Sequence, residues 1–241
     1  MMLQTVQTAA RLSSCSGCLC SQFWPTSQNG NGAPQAWQYS GCSILRSNRP
    51  PPFRASTDGG TVLYGNAGDD ILTGIGGNNL FGGAGDDQII SNPSDNAFDT
   101  TVQIDGGEGN DTISIFADAG IENFFNLGSA VATGGDGADE FNVVYDLQNS
   151  MGEEQFLDTS LLRITDFNPN EDVLTIEVDR NDETADRSVE VELDQTQENG
   201  THTSLITLTF VEEVNATQAV ANLTVISNAA FTLDDIRLVS I

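Results

Sequence analysis

The chain has 241 residues, of which 35 are acidic and 8 basic, giving a formal charge of −27; every basic residue is Arg. A surface so acidic repels nucleic acid and anionic membranes and attracts cations, so neither of the first two is an expected partner. No apolar run is long enough to span a bilayer, and no membrane insertion is expected.

The charge is divided along the chain. Residues 1–57 contain no Asp or Glu and hold Arg11, Arg46, Arg49 and Arg54, together with all four cysteines. This segment is rich in Ser, Gln, Asn and Gly, carries Pro50-Pro51-Pro52 and has no hydrophobic period, so 1–55 reads as a disordered leader. Cys15-Ser-Gly-Cys18-Leu-Cys20 suggests a metal knuckle, but zinc needs a further ligand pair and only Cys42 remains. The change of composition near residue 57 marks a domain boundary. It also fits a start codon placed too far upstream.

From Gly65 the sequence falls into phase: GNAGDDILT, GIGGNNLF and GGAGDDQII, then, after an interruption, GGEGNDTIS from Gly106 and GGDGADEFN from Gly134. An imperfect earlier copy, STDGGTVLY, begins at Ser56. The pattern is G-G-x-G-x-D-x-U-x with U apolar, and periodicity of this kind takes precedence over single motifs. Glycines permit the positive φ angles of tight turns and let stacked backbones approach closely. Their carbonyls, joined by the carboxylate at position six, make a set of hard oxygen donors suited to Ca²⁺. Position eight points inward, which predicts Leu63, Leu72, Leu80, Ile89, Ile104, Ile113 and Phe141 as a thin core.

These repeats resemble the RTX family of haemolysin-type calcium-binding proteins, directly over 56–114 and 134–142. The resemblance implies a right-handed parallel β-roll in which two nonapeptides make one coil of about eighteen residues. It also implies that backbone carbonyls of Gly65, Ala67, Gly82, Ala84, Gly106 and Glu108 join the aspartates around Ca²⁺. Phase places the carboxylates. Asp70 and Asp87 are 17 residues apart, one short of a coil, with the missing residue assigned between Asn79 and Leu80. Asp87 and Asp111 are 24 apart, a coil plus the polar insertion Ser91–Asn96. Asp70, Asp87 and Asp111 therefore stack on one edge as candidate ligands. Asp139, a fourth candidate, lies 28 residues further on, which leaves its edge open. The other edge offers Thr61, Asn79 and Val102 at position six, a poor donor set. Asp69 and Asp86, at position five, are expected to face solvent.

Beyond about Phe156 the glycine period gives way to two-residue alternation, as in Val173–Val178 and Leu205–Phe210, and Asn199-Gly200 reads as a hairpin turn. Ile164-Thr-Asp-Phe-Asn-Pro-Asn-Glu-Asp-Val-Leu174 and Phe231-Thr-Leu-Asp-Asp-Ile236 are similar to the segments that follow and close RTX repeats. The resemblance implies a C-terminal cap and an uncleaved export signal read by a type I secretion exporter. Asp166 and Asp172 are expected to cap turns rather than bind an ion.

His202 is the one histidine, and neither H-E-x-x-H nor G-x-S-x-G occurs, so no catalytic constellation stands out. The expected protein is all-β: a disordered N-terminal segment (1–55), a calcium-binding β-roll (56–148) and a β-rich C-terminal capping region (149–241). It is expected to be a noncatalytic, extracellular or cell-surface structural or accessory module. The alternative is the noncatalytic RTX portion of a truncated secreted hydrolase or epimerase.

Overall fold

The structure, a computed structural model, describes residues 62–92, 101–118, 129–146, 162–179, 188–211 and 218–240, together with five short strands nearer the N-terminus. Those strands are β1 (Leu12–Cys15), β2 (Cys18–Ser21), β3 (Trp37–Tyr39), β4 (Ile44–Arg46) and β5 (Arg54–Asp58). The repeats supply β6 (Val62–Ala67), β7 (Ile71–Ile75), β8 (Asn79–Ala84), β9 (Gln88–Asn92), β10 (Thr101–Glu108), β11 (Thr112–Asp118), β12 (Ser129–Asp136) and β13 (Glu140–Asp146). Then come β14 (Leu162–Phe167), β15 (Val173–Asp179), β16 (Ser188–Glu198), β17 (Thr201–Val211), β18 (Gln218–Ser227) and β19 (Ile236–Ser240). Among the described residues no helix is long and apolar enough to cross a membrane.

From β3 to β15 consecutive strands alternate between two sheets, and each strand from β3 to β13 pairs in parallel with the strand two after it. One sheet runs β16-β17-β18-β14-β12-β10-β8-β6-β4, the other β19-β15-β13-β11-β9-β7-β5-β3. Each coil thus contributes one strand to each sheet. The inward positions form two continuous columns. Leu63, Leu80, Ile104, Ala132, Ile164 and Val225 are in register in the first sheet. Leu72, Ile89, Ile113, Phe141, Leu174 and Ile236 are in register in the second. All seven expected position-eight residues are buried in one core. That burial is the main favourable term, worth roughly 1.5–3 kcal/mol for each large apolar side chain. The coil of β12 and β13 balances its volume by joining small Ala130 and Ala132 with large Phe141 and Tyr145. Phe141, Phe167 and Phe231 continue the core in two edge-to-face contacts.

Glycine is needed where turns stack. At Gly83 (φ +121°) a side chain would run into the Asn66 carbonyl, and at Gly107 (φ +113°) into the Gly83 carbonyl. The first repeat has Asn66 at the equivalent place, with φ of 77°; Asn tolerates the left-handed region better than other side chains.

The architecture differs from the expected division in two places. The coils do not end near residue 148. β14 and β15 pair in parallel with β12 and β13, and β18 and β19 pair in parallel with β14 and β15, adding two coils that lack the glycine repeat. Among the described residues of this C-terminal part, the antiparallel hairpin β16–β17, closed by Asn199 and Gly200, departs from the coil pattern and extends one sheet. The stack also begins before residue 56. β3 pairs with β5 and β4 with β6, inside the segment expected to be disordered, and β1 and β2 pair antiparallel with Cys15 opposite Cys18. The remainder of residues 1–55 lies outside the described residues.

Candidate metal-binding edge

The turns from the first sheet to the second lie on one edge of the coil stack, and position six of each carries an aspartate. Asp70, Asp87, Asp111 and Asp139 are each at most 2% exposed. They are tied together coil by coil. The backbone N–H of Asp70 donates to Oδ1 of Asp87 at 2.7 Å, that of Asp87 to Asp111 at 2.7 Å, and that of Asp111 to Asp139 at 2.9 Å. The Asp139 N–H donates to Asp172 at 3.0 Å, so the ladder has five members. Asp139 therefore stands on the same edge as Asp111. The 28 residues between them are one coil plus a longer connection across the other edge.

The second carboxylate oxygens point elsewhere. Oδ2 of Asp87 and Oδ2 of Asp111 are buried and accept no hydrogen bond. Each sits against the first glycine of its own turn, together with a carbonyl from the next coil. A methyl at Gly82 would meet Asp87 Oδ2 and, at 2.5 Å, the Gly106 carbonyl; one at Gly106 would meet Asp111 Oδ2 and, at 2.5 Å, the Gly134 carbonyl. At Gly65 the neighbours are the Gly82 carbonyl and, at 2.6 Å, Asp70 Oδ2. Carboxylate and carbonyl oxygens from successive coils thus converge between the turns. Of the expected donors, the Gly82 and Gly106 carbonyls and Oδ2 of Asp70, Asp87 and Asp111 take part. The Ala84 and Glu108 carbonyls instead accept from Gly68 N–H (2.6 Å) and Gly85 N–H (2.7 Å), holding adjacent turns together. Ala67 lies in register with Ala84 at the same turn level.

The electrostatics of Asp87, Asp111 and Asp139 are those of buried, closely spaced carboxylates. Burial pushes the Asp87 carboxyl from 3.8 up to about 7, against the lowering effect of the Asp70 N–H, and the neighbouring carboxylates of Asp111, Asp70 and Asp69 push the same way. Burial raises Asp139 to about 6, aided by Asp172, Asp111 and Asp166, and Asp111 is raised chiefly by burial. Among the described residues every charge acting on these three groups is another carboxylate. Among the described residues no three His, Cys, Asp or Glu side chains converge closely enough to hold an ion unaided. A cation here would need carbonyl oxygens as well, as hard cations accept.

Asp69 and Asp86 are exposed, as expected, but they are not idle. They begin an outer ladder of opposite polarity, in which Asp86 N–H donates to Asp69 Oδ1 at 3.0 Å and Asn110 N–H to Asp86 Oδ1 at 2.8 Å. Asn110 Oδ1 then accepts from Ala138 N–H at 3.0 Å, and Ala138, without a polar side chain, ends the series. Asp166 and Asp172 act as caps. Asp166 accepts from Gly134 and Gly135 N–H at 2.9 and 2.8 Å, and Asp172 accepts from Asn168 N–H at 2.7 Å besides the Asp139 bond.

The opposite edge corrects one assignment of phase. Asn78, fully buried, precedes β8 as Asp70 precedes β7, and its Nδ2 donates to the Ile75 carbonyl at 2.5 Å. Position six is therefore Asn78, and the missing residue falls before it, in the turn, because Leu80 must keep the inward place on the strand. Asn79 lies on β8 and accepts from Gln103 N–H at 2.9 Å; Val102 is a core residue. Thr61 and residues 93–96 of the polar insertion lie outside the described residues.

Comparison with protein-family models, with curated proteins and with solved structures finds no match to this chain.

Proposed function

We propose that the protein is a secreted calcium-binding module of the RTX kind, a right-handed parallel β-roll whose folding is driven by Ca²⁺ bound between Gly/Asp turns. One observation carries this reading. The buried Oδ2 atoms of Asp87 and Asp111 have no donor, lie beside carbonyls of the next coil, and among the described residues feel only other carboxylates as charges. Such charge is costly in a compact fold unless a cation neutralises it, and Ca²⁺ suits a set of carboxylates and backbone carbonyls. The metal's contribution is then folding free energy. Extracellular calcium, in the range where exported modules bind (about 10⁻⁴–10⁻³ M), sets the compartment in which the roll forms.

The protein in this reading is a noncatalytic structural, surface or accessory module, and the N-terminal leader outside the strands is dispensable. Export runs through a type I exporter that reads the C-terminal segment. A reporter fused to residues 188–241 should leave cells that hold such an exporter, and retention of the fusion would remove this part of the proposal.

Equilibrium dialysis of the full chain against ⁴⁵Ca²⁺ tests the function. Saturable uptake of several ions per chain, reduced in Asp87→Ala and Asp111→Ala, is expected. A chain that takes up no calcium at millimolar concentration would overturn the reading.

A further inference from the structure

We propose that the interturn sites are unequal, and that the one between the Gly106–Asp111 and Gly134–Asp139 turns is the tightest for Ca²⁺ and fills first, because Asp105 and Asp166 add charge that the repeat itself does not specify. The inference rests on the calcium reading above and assigns an affinity-determining role to two residues outside the ligand set.

The strand position just before each turn glycine shows the difference. Tyr64, Phe81, Asp105 and Thr133 precede Gly65, Gly82, Gly106 and Gly134, and they are in register across the first sheet. In the first two coils this place holds aromatic rings stacked on each other, with centroids 5.0 Å apart and planes at 13°. In the third it holds a half-buried carboxylate. Asp105 is within electrostatic reach of both Asp111 and Asp166. Asp166, from the coil beyond, is pinned over the Gly134 turn by its two backbone hydrogen bonds and acts on Asp139 as well.

Asp105 thus acts on Asp111 and Asp166 on Asp139, the two turn aspartates of this space, whereas in the first space the strand position before the turn glycine holds the stacked rings of Tyr64 and Phe81 instead of a carboxylate. The buried Asp111 Oδ2, without a donor and set against Gly106 and the Gly134 carbonyl, points to the ion's place. The carboxylates do not converge on one point, so Asp105 and Asp166 act through their field rather than by ligation. A unit charge several ångströms from a divalent ion near the surface strengthens binding on the order of three- to tenfold, and salt screens the effect.

Calorimetric titration of the full chain with Ca²⁺, at low and at high KCl, tests this. The wild type should show one class of ion tighter than the rest. Asp105→Asn should weaken that class about three- to tenfold at low salt, from the same Coulomb argument, and by much less at high salt, with the number of bound ions unchanged. Thr133→Asp, which places a carboxylate in the adjacent register position, should tighten the same class and serves if Asp105→Asn folds poorly. Equal weakening of all ions, or a salt-independent loss, would overturn the inference. A wild-type chain that binds no calcium would instead bring down the calcium reading, and the inference with it.

Discussion

The two edges of the coil stack differ in how they treat chain length. On the aspartate edge the connections from β6 to β7, β8 to β9, β10 to β11 and β12 to β13 each span three residues (68–70, 85–87, 109–111 and 137–139). On the other edge the connection from β7 to β8 is equally short (76–78), but the later ones occupy 93–100, 119–128 and 147–161. Successive ladder aspartates are accordingly 17, 24, 28 and 33 residues apart, yet their bonds stay between 2.7 and 3.0 Å. From Asp70 to Asp139 all variation in length falls on the opposite edge; only the last ladder turn, which carries Asp172, is longer, at 168–172. A glycine turn that must place an N–H, a carboxylate and a carbonyl at fixed height keeps to three residues, and the one longer ladder turn is braced by the Asp172 side chain, which accepts from Asn168 N–H. The comparison teaches that the functional edge is recognised by invariance of geometry rather than of spacing.

The comparison is broken most severely by closing the space between turns. Gly106→Val should unfold the aspartate edge, because its Cβ would collide with Asp111 Oδ2 and with the Gly134 carbonyl, which is backbone and cannot move aside. A loss of at least ~3 kcal/mol is expected from overpacking at a backbone contact. Gly200→Ala, in a hairpin tip with nothing near its Cβ, should cost only about 1 kcal/mol for its φ of 86°. Thermal melting in calcium separates the two, and equal melting temperatures would show that the close approach is not needed.

Next in size is the removal of one ladder carboxylate. Asp87→Ala should lose bound calcium and raise the calcium midpoint of folding, since its position borders an interturn space on each side. Asp111→Ala and Asp139→Ala should match it, because each of these residues also both donates and accepts within the ladder, while Asp70→Ala, at the near end, should do less. Asn78→Ala on the opposite edge should cost about 1–2 kcal/mol through its lost buried hydrogen bond and leave the number of bound ions unchanged. Ion counts by atomic emission decide the contrast.

Proton binding gives a smaller effect of definite sign. The carboxyls of Asp87 and Asp139, ordinarily near 3.8, stand at about 7 and about 6 in the fold. The folded state therefore binds protons more tightly than the unfolded one. The stability this supplies to metal-free protein is full below pH 3.8 and is lost as pH rises through 6 and 7. Metal-free protein should thus melt at a higher temperature at pH 5 than at pH 8. Calcium affinity should run the other way, because at pH 5 the ion must displace those protons. A metal-free melting temperature that rises from pH 5 to pH 8 would contradict the buried, unneutralised ladder.

How far the sequence carried this account is visible in particular residues. The phase of the glycines was enough to stack Asp70, Asp87 and Asp111 and to name the inward column from Leu63 to Phe141. Asn199-Gly200 marked the β16–β17 turn for the local reason that both residues accept positive φ. The coils containing β14–β15 and β18–β19 show no glycine period because side chains hold their turns where the repeats use glycine backbone: Asp172 on Asn168 N–H in the first, Ser227 and Asp235 in the second. Asp139 could not be placed, since a 28-residue gap is a coil plus a loop or three repeats plus one residue, and only the bond from Asp111 N–H separates these. The strands β3 and β4 lie in Ser-, Gln- and Arg-containing sequence without alternation, and only their pairing with β5 and β6 shows them.

The smallest effect is expected from Asp86→Ala. It removes an acceptor used by Asn110 in the outer ladder, at about 0.5–1 kcal/mol for an exposed bond, and should leave the number of calcium ions unchanged. If it proved as harmful to calcium binding as Asp87→Ala, the inner and outer assignments of positions five and six would be reversed.

The central claim, that calcium between the aspartate turns supplies folding energy, is tested most directly by far-ultraviolet circular dichroism of the full chain during calcium titration and reversal with EGTA near pH 7.5. The account predicts a β-sheet signal that is weak without calcium, rises cooperatively over about 10⁻⁴–10⁻³ M, and is lost again on chelation, with protease resistance following the same curve. A full β signal and full protease resistance in EGTA, unchanged by calcium, would contradict it.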